Sequence, residues 1–411
     1  MDTTQRALTM QRWYFTQYEI IPDLGDEVGV LTPKLEKVIH TLEWVRIEEF
    51  VQSTWCGIGR PPHDRQMLAC AFVAKTVLGI KTTVGLIERL QIDKALRRIC
   101  GFPLRKKLPS EASFSRAFAE FAEANLAERA HESLVKTHLG DALIGHISRD
   151  ATAIEVREKP KKTDSTGKSV ATADLIAEAE STVIATPVDA PGVDDLAGKD
   201  AVLQNAEPTK TDDVAQSKPG RKKKSTSAPP QPKRIEVQLQ QTLAEMLNEM
   251  PKDCERGNKC NAQGYKNSWN GYKLHIDTAD CGVAVSALLS SASMHDSQAA
   301  IPLALITANR VTNCYDLMDA AYCSTALRAH SRSLGHVPLI DHNPRRGEKI
   351  EFAPHEAERY KERSQAERTN ARLKDEFGAN EIWVRGHEKV KSHLMFGLLA
   401  LTADQLMRLL T

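Results

Sequence analysis

Residues 145–158, GHISRDATAIEVRE, alternate apolar and polar side chains, the period-two pattern of a half-buried strand, and mark the point where a sheet begins. Before them the spacing is different. Between residues 35 and 140 apolar side chains recur three and four apart, in MLACAFVAKTVLGI (67–80), VGLIERLQIDKALRRI (84–99) and FSRAFAEFAEANLAERAHESLV (114–135), so residues 1–140 read as a helical domain. Arg60, Pro61 and Pro62 precede one of its helices, Gly101 to Pro109 separate two others, and Ser110 is placed to cap the next. Such short, punctuated helices suit a DNA-binding helix-turn-helix and a plain bundle equally well. After the strand, IEVQLQQTLAEMLNEM (235–250) returns to helical spacing, and YKLHIDTADCGVAVSALL (272–289) reads as two strands turning near Asp280 to Gly282. A helix near Ser297 to Ala308, a strand ending at Met318, a helix from Tyr322 to Leu334 and the strand HVPLID (336–341) follow. One strand extended by an antiparallel hairpin, then by helix-connected parallel strands, predicts a mixed α/β fold in which a mixed sheet is flanked by helices.

Residues 159–234 interrupt this order. They are rich in Lys, Ser, Thr, Asp, Ala and Pro with few aromatics, a composition that cannot bury a core, and they read as a low-complexity, mostly disordered insertion or linker. The basic run KPGRKKK (218–224) within them is open to two readings, a solvated linker or a flexible arm on DNA phosphates. The chain as a whole carries a formal net charge of +1, so any nucleic-acid partner must be met by local basic patches rather than by global charge. Eight cysteines scattered over 411 residues fit reduced thiols better than a disulfide framework. No apolar run approaches the roughly 18 residues of a membrane span, and the start, MDTTQRALTMQRWYF, lacks the basic and apolar regions of a secretion signal. The expectation is a cytoplasmic protein with no membrane partner.

Asp150 places a carboxylate inside the strand of 145–158, and alone it would pass for a solvent-facing residue. Asp319 ends the strand NCYDLMD (313–319) and opens a turn into a helix, a position where sites assemble in such sheets but also one that an N-cap would fill. The segment HEAERYKERSQAERTNARLKDEFG (355–378) is dominated by Ala, Glu, Lys and Arg and closes on Gly378, so a single helix is predicted from His355 to Phe377. At about 100° per residue, Tyr360, Arg363, Glu367 and Lys374 fall within an arc of about 60°, while Ala366, Leu373 and Phe377 cluster opposite as a packing face. Composition alone would make this a solvated helix of Glu and Lys or Arg pairs.

The spacing of Tyr360, two residues, Arg363, three residues, Glu367, six residues and Lys374 resembles the Tyr-Arg-Glu-Lys signature of the DDE transposases of bacterial insertion sequences. Asp150 in ISRDATAIE resembles the first acid of that family, Asp319 in YDLMDAAYCS the second and Glu367 the third. HDSQAAIPL (295–303) is similar to a common segment of the same domain, and residues 60 to 122 look like the helical domain often attached to it. The resemblance implies an RNase H-like catalytic domain over 144–158 and 235–411. It implies a transposase that cleaves and transfers DNA strands at the ends of an insertion sequence, with Asp150, Asp319 and Glu367 as catalytic residues and as ligands of two Mg2+ ions, Mn2+ being able to substitute. Tyr360, Arg363 and Lys374 are then the DNA-binding residues. The implied partners are double-stranded DNA, as terminal inverted repeats and as target, and a second copy of the chain in a homodimer on paired ends. Two departures stand out: Ala321 occupies the place of the glycine that usually precedes the tyrosine matched by Tyr322, and the insertion lies between the first and second strands instead of ahead of the signature helix.

The same acids would serve an RNase H-like nuclease that cuts without joining, and a derivative that binds DNA without catalysis is the alternative from another class. Cys254, Cys260, His275 and Cys281 miss the short paired spacing of a zinc site. His295, beside Asp296, reads as a hydrogen-bonded structural histidine at a helix start.

Overall fold

The computed structural model of the protein describes residues 31–52, 63–160, 232–260, 263–344 and 348–410. The basic run at 218–224 and the stretch from Arg60 to Pro62 lie outside the described residues. Chain on both sides of 163–231 packs into one unit. Its first part is helical as expected: α1 (Pro33–Val45), α2 (Arg65–Val77), α3 (Thr83–Ile92), α4 (Lys94–Ile99), α5 (Glu111–Glu123) and α6 (Leu126–Leu139). Thr32, Asp64, Thr82 and Asp93 start four of these by accepting a hydrogen bond from a first-turn N–H, the local reason the helices begin where they do. Ser110 takes the N-cap place of α5, but its hydroxyl pairs with Ser113 Oγ at 3.1 Å rather than with the backbone.

The sheet is built from β1 (Leu143–Glu155), β2 (Glu255–Cys260), β3 (Lys266–Ala279), β4 (Ala284–Ser291), β5 (Thr312–Met318) and β6 (Val337–Ile340). β1 is central, antiparallel to β3 on one side and parallel to β5 on the other, with β6 parallel beyond β5. β3 is long enough to take β2 along its first half and β4 along its second. This is an RNase H-like mixed sheet flanked by helices. β2 was not anticipated, because ERGNKC lies at an edge where most side chains are exposed and no apolar alternation is needed.

Three helical readings need correction. The span 235–250 is two short helices, α7 (Arg234–Gln238) and α8 (Leu243–Asn248), since Thr242 and Glu245 form a capping box that starts a new helix. α9 (Ala300–Ala308) leads into β5, and α10 (Thr325–Ser333) begins three residues later than Tyr322, after a 3-10 turn over Ala320–Tyr322. The helix expected from His355 to Phe377 is α11 (Pro354–Lys361) and α12 (Ser364–Asp375), joined where Arg363 N bonds Tyr360 O and Ala366 N bonds Arg363 O, both at 3.0 Å. These i to i+3 bonds tighten the chain through a 3-10 step. The packing face is as expected, with Ala366, Leu373 and Phe377 buried, and Gly378 takes φ +82° just past the helix end.

α13 (His387–Leu410) was not foreseen at all. It carries apolar residues around its circumference because α1, α2, α5, α6 and β4 cover it from several sides. At Gly397 a Cβ would meet the Phe377 carbonyl oxygen at 2.8 Å, so the close pass of α13 over the end of α12 requires glycine. One continuous core joins the N-terminal helices, α13 and one face of the sheet. No described helix is long and apolar enough to cross a membrane.

Arg149 of β1 is buried in a bidentate pair with Asp277 of β3, Nε to Oδ1 at 2.8 Å and Nη2 to Oδ2 at 2.6 Å, and Thr307 of α9 donates to the same carboxylate at 2.6 Å. Replacing Asp277 with Ala strands the guanidinium in the core and is expected to cost about 3–5 kcal/mol in urea unfolding. Glu358→Gln, which removes an exposed pair with Lys361, should leave the midpoint in place. Equal effects of the two substitutions would refute the weight given to the buried pair.

Candidate active site

Strand alternation separates the neighbours Arg149 and Asp150: the first enters the core and the second faces the opposite side. Arg149 pairs with Met318 in the parallel β1–β5 register, so Asp150 lies beside Asp319, the residue just past the end of β5. Asp319 also performs the capping role read for it, its Oδ1 accepting from Ala321 N at 2.9 Å to hold the 3-10 turn. That turn has no positive φ, so Ala321 fits where the family usually has glycine.

α12 reaches the point where the β1–β5 pairing ends. Asn370 Nδ2 donates to Asp150 Oδ2 at 3.0 Å. Arg363 lies with Nη1 3.8 Å from Asp150 Oδ1 and with Nη2 2.5 Å from Glu367 Oε1. Tyr360 donates its hydroxyl to the Met318 carbonyl at 3.1 Å, next to Asp319. The break between α11 and α12 leaves Tyr360 at Met318 and Arg363 between Asp150 and Glu367. Lys374 lies two turns beyond Glu367, roughly 10 Å along the helix axis.

The electrostatics follow from that arrangement. Burial raises the pKa of Asp150, and the neighbouring Asp319 adds to it, while Arg363 and Lys259 oppose. Asp319 is likewise raised by burial, with Asp296 contributing in the same direction and Ala321 N–H, Arg363 and Lys259 opposing. Burial works against the charge of Arg363, but Tyr360, Asp150, Glu367 and Asp319 outweigh it and hold its pKa above the ordinary value. Tyr360 is pushed up to about 12, chiefly by burial. Lys374 is lowered by burial and then by Lys259.

The three acids do not close around a common point: among the described residues no group of three or more His, Cys, Asp or Glu side chains could hold a metal ion. The physical reason is visible, since Glu367 is drawn to Arg363 and is 57% exposed. What the donor set offers is two oxygen ligands on adjacent strands, raised in proton affinity chiefly by burial, and a third carboxylate on α12 that is paired with Arg363. Hard carboxylate oxygens of this kind fit Mg2+ or Mn2+.

Sequence reasoning missed Lys259 and Asn370. Lys259 sits on the unanticipated β2, whereas Asn370, three residues after Glu367, was available on the same helical face. The zinc alternative gains nothing, as Cys254 Sγ bonds the Glu158 carbonyl at 3.6 Å and His275 Nε2 pairs with Ser290 Oγ at 2.9 Å. His295 Nδ1 accepts from Ser297 N at 3.3 Å and caps a helix start, as read.

Residues 238–403 match the family model described as Transposase DDE domain, and residues 22–120 match one described as Transposase domain (DUF772). The chain belongs to the DDE transposases. Among curated proteins and among solved structures nothing matches it. The matched DDE range holds Asp319, Glu367, Tyr360, Arg363 and Lys374 of this transposase but not Asp150, which the 159–234 insertion separates from it.

The raised carboxylates have a consequence for stability. Their folded-state pKa values exceed those of the unfolded chain, so this source of stability is full below the unfolded carboxylate range, about pH 4, and is lost as pH rises through the folded values. Asp319→Asn, which keeps the cap acceptor and removes the charge, should therefore raise the thermal midpoint at neutral pH. The gain should shrink as pH approaches 4. A variant no more stable than the parent at pH 7 would count against the electrostatic reading.

Proposed function

We propose that this transposase cleaves DNA strands at the ends of an insertion sequence and joins the freed 3′ ends to target DNA, acting as a homodimer on paired ends. The observation that carries the proposal is the placement of Asp150 and Asp319 side by side where the parallel β1–β5 pairing ends, beside the segment bearing Arg363 and Glu367. Family membership supports DNA as the substrate and divalent metal ions as the cofactor class. Asp150, Asp319 and Glu367 would hold two Mg2+ ions, or Mn2+ in their place. Such ions supply an activated water or 3′-hydroxyl and stabilise the leaving oxygen of an in-line phosphodiester displacement.

The protein's own residues set the rest. Asp150 is oriented by Asn370, and Asp319 by the N–H of Ala321, so two of the three ligands are fixed before a cation arrives. Arg363 supplies the counter-charge meanwhile. Once Glu367 is drawn away from it, the guanidinium is free to meet a phosphate bidentately, beside Tyr360 and Lys374 as further DNA contacts. On the helix-turn-helix reading, one of the two that the helical N-terminal part allows, that part would bring the substrate to this edge of the sheet.

Glu367→Gln is expected to abolish metal-dependent nicking of DNA bearing the element's ends while binding to that DNA is retained within a few fold. Mg2+ should raise the thermal midpoint of the parent more than that of the variant, by the ordinary linkage of ligand binding to stability. Cleavage that survives Glu367→Gln would exclude it from the catalytic set, and cleavage without any joined product would reduce the proposal to a nuclease.

A further inference from the structure

Between the N-terminal helices and the start of α13 lies an open cavity of about 540 Å3, with Lys75 of α2, Lys81 and Thr83 at the start of α3, Ser115 of α5, and Arg385 and Lys389 on its walls. Four of its lining side chains are cationic and one, Glu111, is acidic. Lys81 is partly neutralised by Glu381 at 2.6 Å. Among the described residues, no carboxylate pairs with Lys75, Arg385 or Lys389. Lys75 is only 8% exposed, and burial pulls its ammonium down to about 8. A cation removed from water without a counter-charge is costly, and an anion arriving beside it recovers that cost. His393, next to it, is held down at about 4 by burial and by the charge of Lys75, so it adds no positive charge of its own at neutral pH.

The first turn of α3, at Thr83 and Val84, opens on the same wall and brings the positive end of a helix dipole. A neighbouring cavity of about 340 Å3 shares Lys75, Thr76, Lys81 and His393 and reaches Lys374 of α12. On its wall Glu376 and Glu381 are already held by Arg372 and Lys81, and Asp375 is a third acid there. Cationic side chains thus run from the signature lysine, past Lys75, to Arg385 and Lys389. In a chain with 55 basic and 54 acidic residues, four cations against one acid in a single cavity is a local excess, and an open, continuous groove suits an extended polyanion rather than a small closed ligand.

We propose that this groove, bounded by α2, α3, α5 and the start of α13, binds the phosphate backbone of duplex DNA alongside the catalytic site. The identity of the polyanion rests on the transposase reading above. The groove meets phosphates and carries no base readout, so it positions the duplex without selecting its sequence.

Arg385 and Lys389 are exposed, so the double variant Arg385→Gln/Lys389→Gln leaves the core untouched. Binding of the full chain to a duplex of arbitrary sequence, titrated over a range of salt concentrations without divalent metal, should show a log–log salt slope shallower than the parent's by about 2, near 0.9 for each phosphate no longer neutralised. The charge-matched variant Lys34→Gln/Lys94→Gln, whose residues line neither cavity, should keep the parental slope. An unchanged slope in the groove variant, an equal loss in the charge-matched one, or no duplex binding by the parent would overturn the proposal. Metal-dependent nicking by the parent is followed in parallel. Binding that depends on the groove without any nicking would overturn the catalytic reading alone, and nicking with an unaltered slope would overturn the groove alone.

Discussion

Asp150 can present a carboxylate at the sheet's working edge because Arg149, one residue earlier, is tied to Asp277 on the opposite face. A shift of β1 by one residue would exchange the two, placing an arginine among the acids and an aspartate in the core. The buried pair forbids this, since its bidentate geometry and the Thr307 hydroxyl on the same carboxylate are satisfied in one register. Such pairs add little to stability relative to an apolar core. Their worth here is positional: β1, β3 and α9 are locked together beneath the residue that must not move. Asp316 does the corresponding work for β5, accepting from Asn313 Nδ2 at 3.1 Å and from Ser331 and pairing with His336, which ties the strand that leads into Asp319 to α10 and β6.

Much of this was legible in the chain itself. The alternation at 145–158, the apolar runs turning near Asp280 to Gly282, and the short apolar strand ending at Met318 are local signals that tertiary packing did not override. The elements that escaped notice did so for physical reasons. β2 is an edge strand without an apolar face to read. α13 is apolar on all sides, so it shows no stripe, and α1, α2, α5 and α6, which cover most of it, lie at the other end of the chain. The 3-10 step at Arg363 is invisible to helical periodicity because both flanking segments are good helix formers.

The same distinction applies to the candidate site. Spacing singled out Glu367, Arg363 and Tyr360; Tyr360 and Arg363 lie where the β1–β5 pairing ends, and Glu367 pairs with Arg363. Spacing does not say where a guanidinium turns in the absence of DNA. Arg363 turns inward toward the acids, and Asp150 and Asp319 retain raised proton affinities even with it present because burial outweighs its charge.

A near-neutral chain that acts on DNA must segregate its charges, because a phosphate backbone is repelled by the acid cluster that its cleavage requires. Here the acids occupy the meeting point of two strands, and the unpaired cations are displaced from them along α12 and into the groove beside α13. Lys259, on the edge strand, opposes the acids from the other side. Lys75, Lys259 and the stretch holding Lys374 and Arg385 lie far apart in sequence, and each cation alone would pass for an ordinary solvated residue. Only the packing of α13 against the N-terminal helices brings Lys75, Arg385 and Lys389 to one surface. The basic surface that net charge fails to announce is therefore a product of the tertiary fold, and it stands or falls with that helix packing.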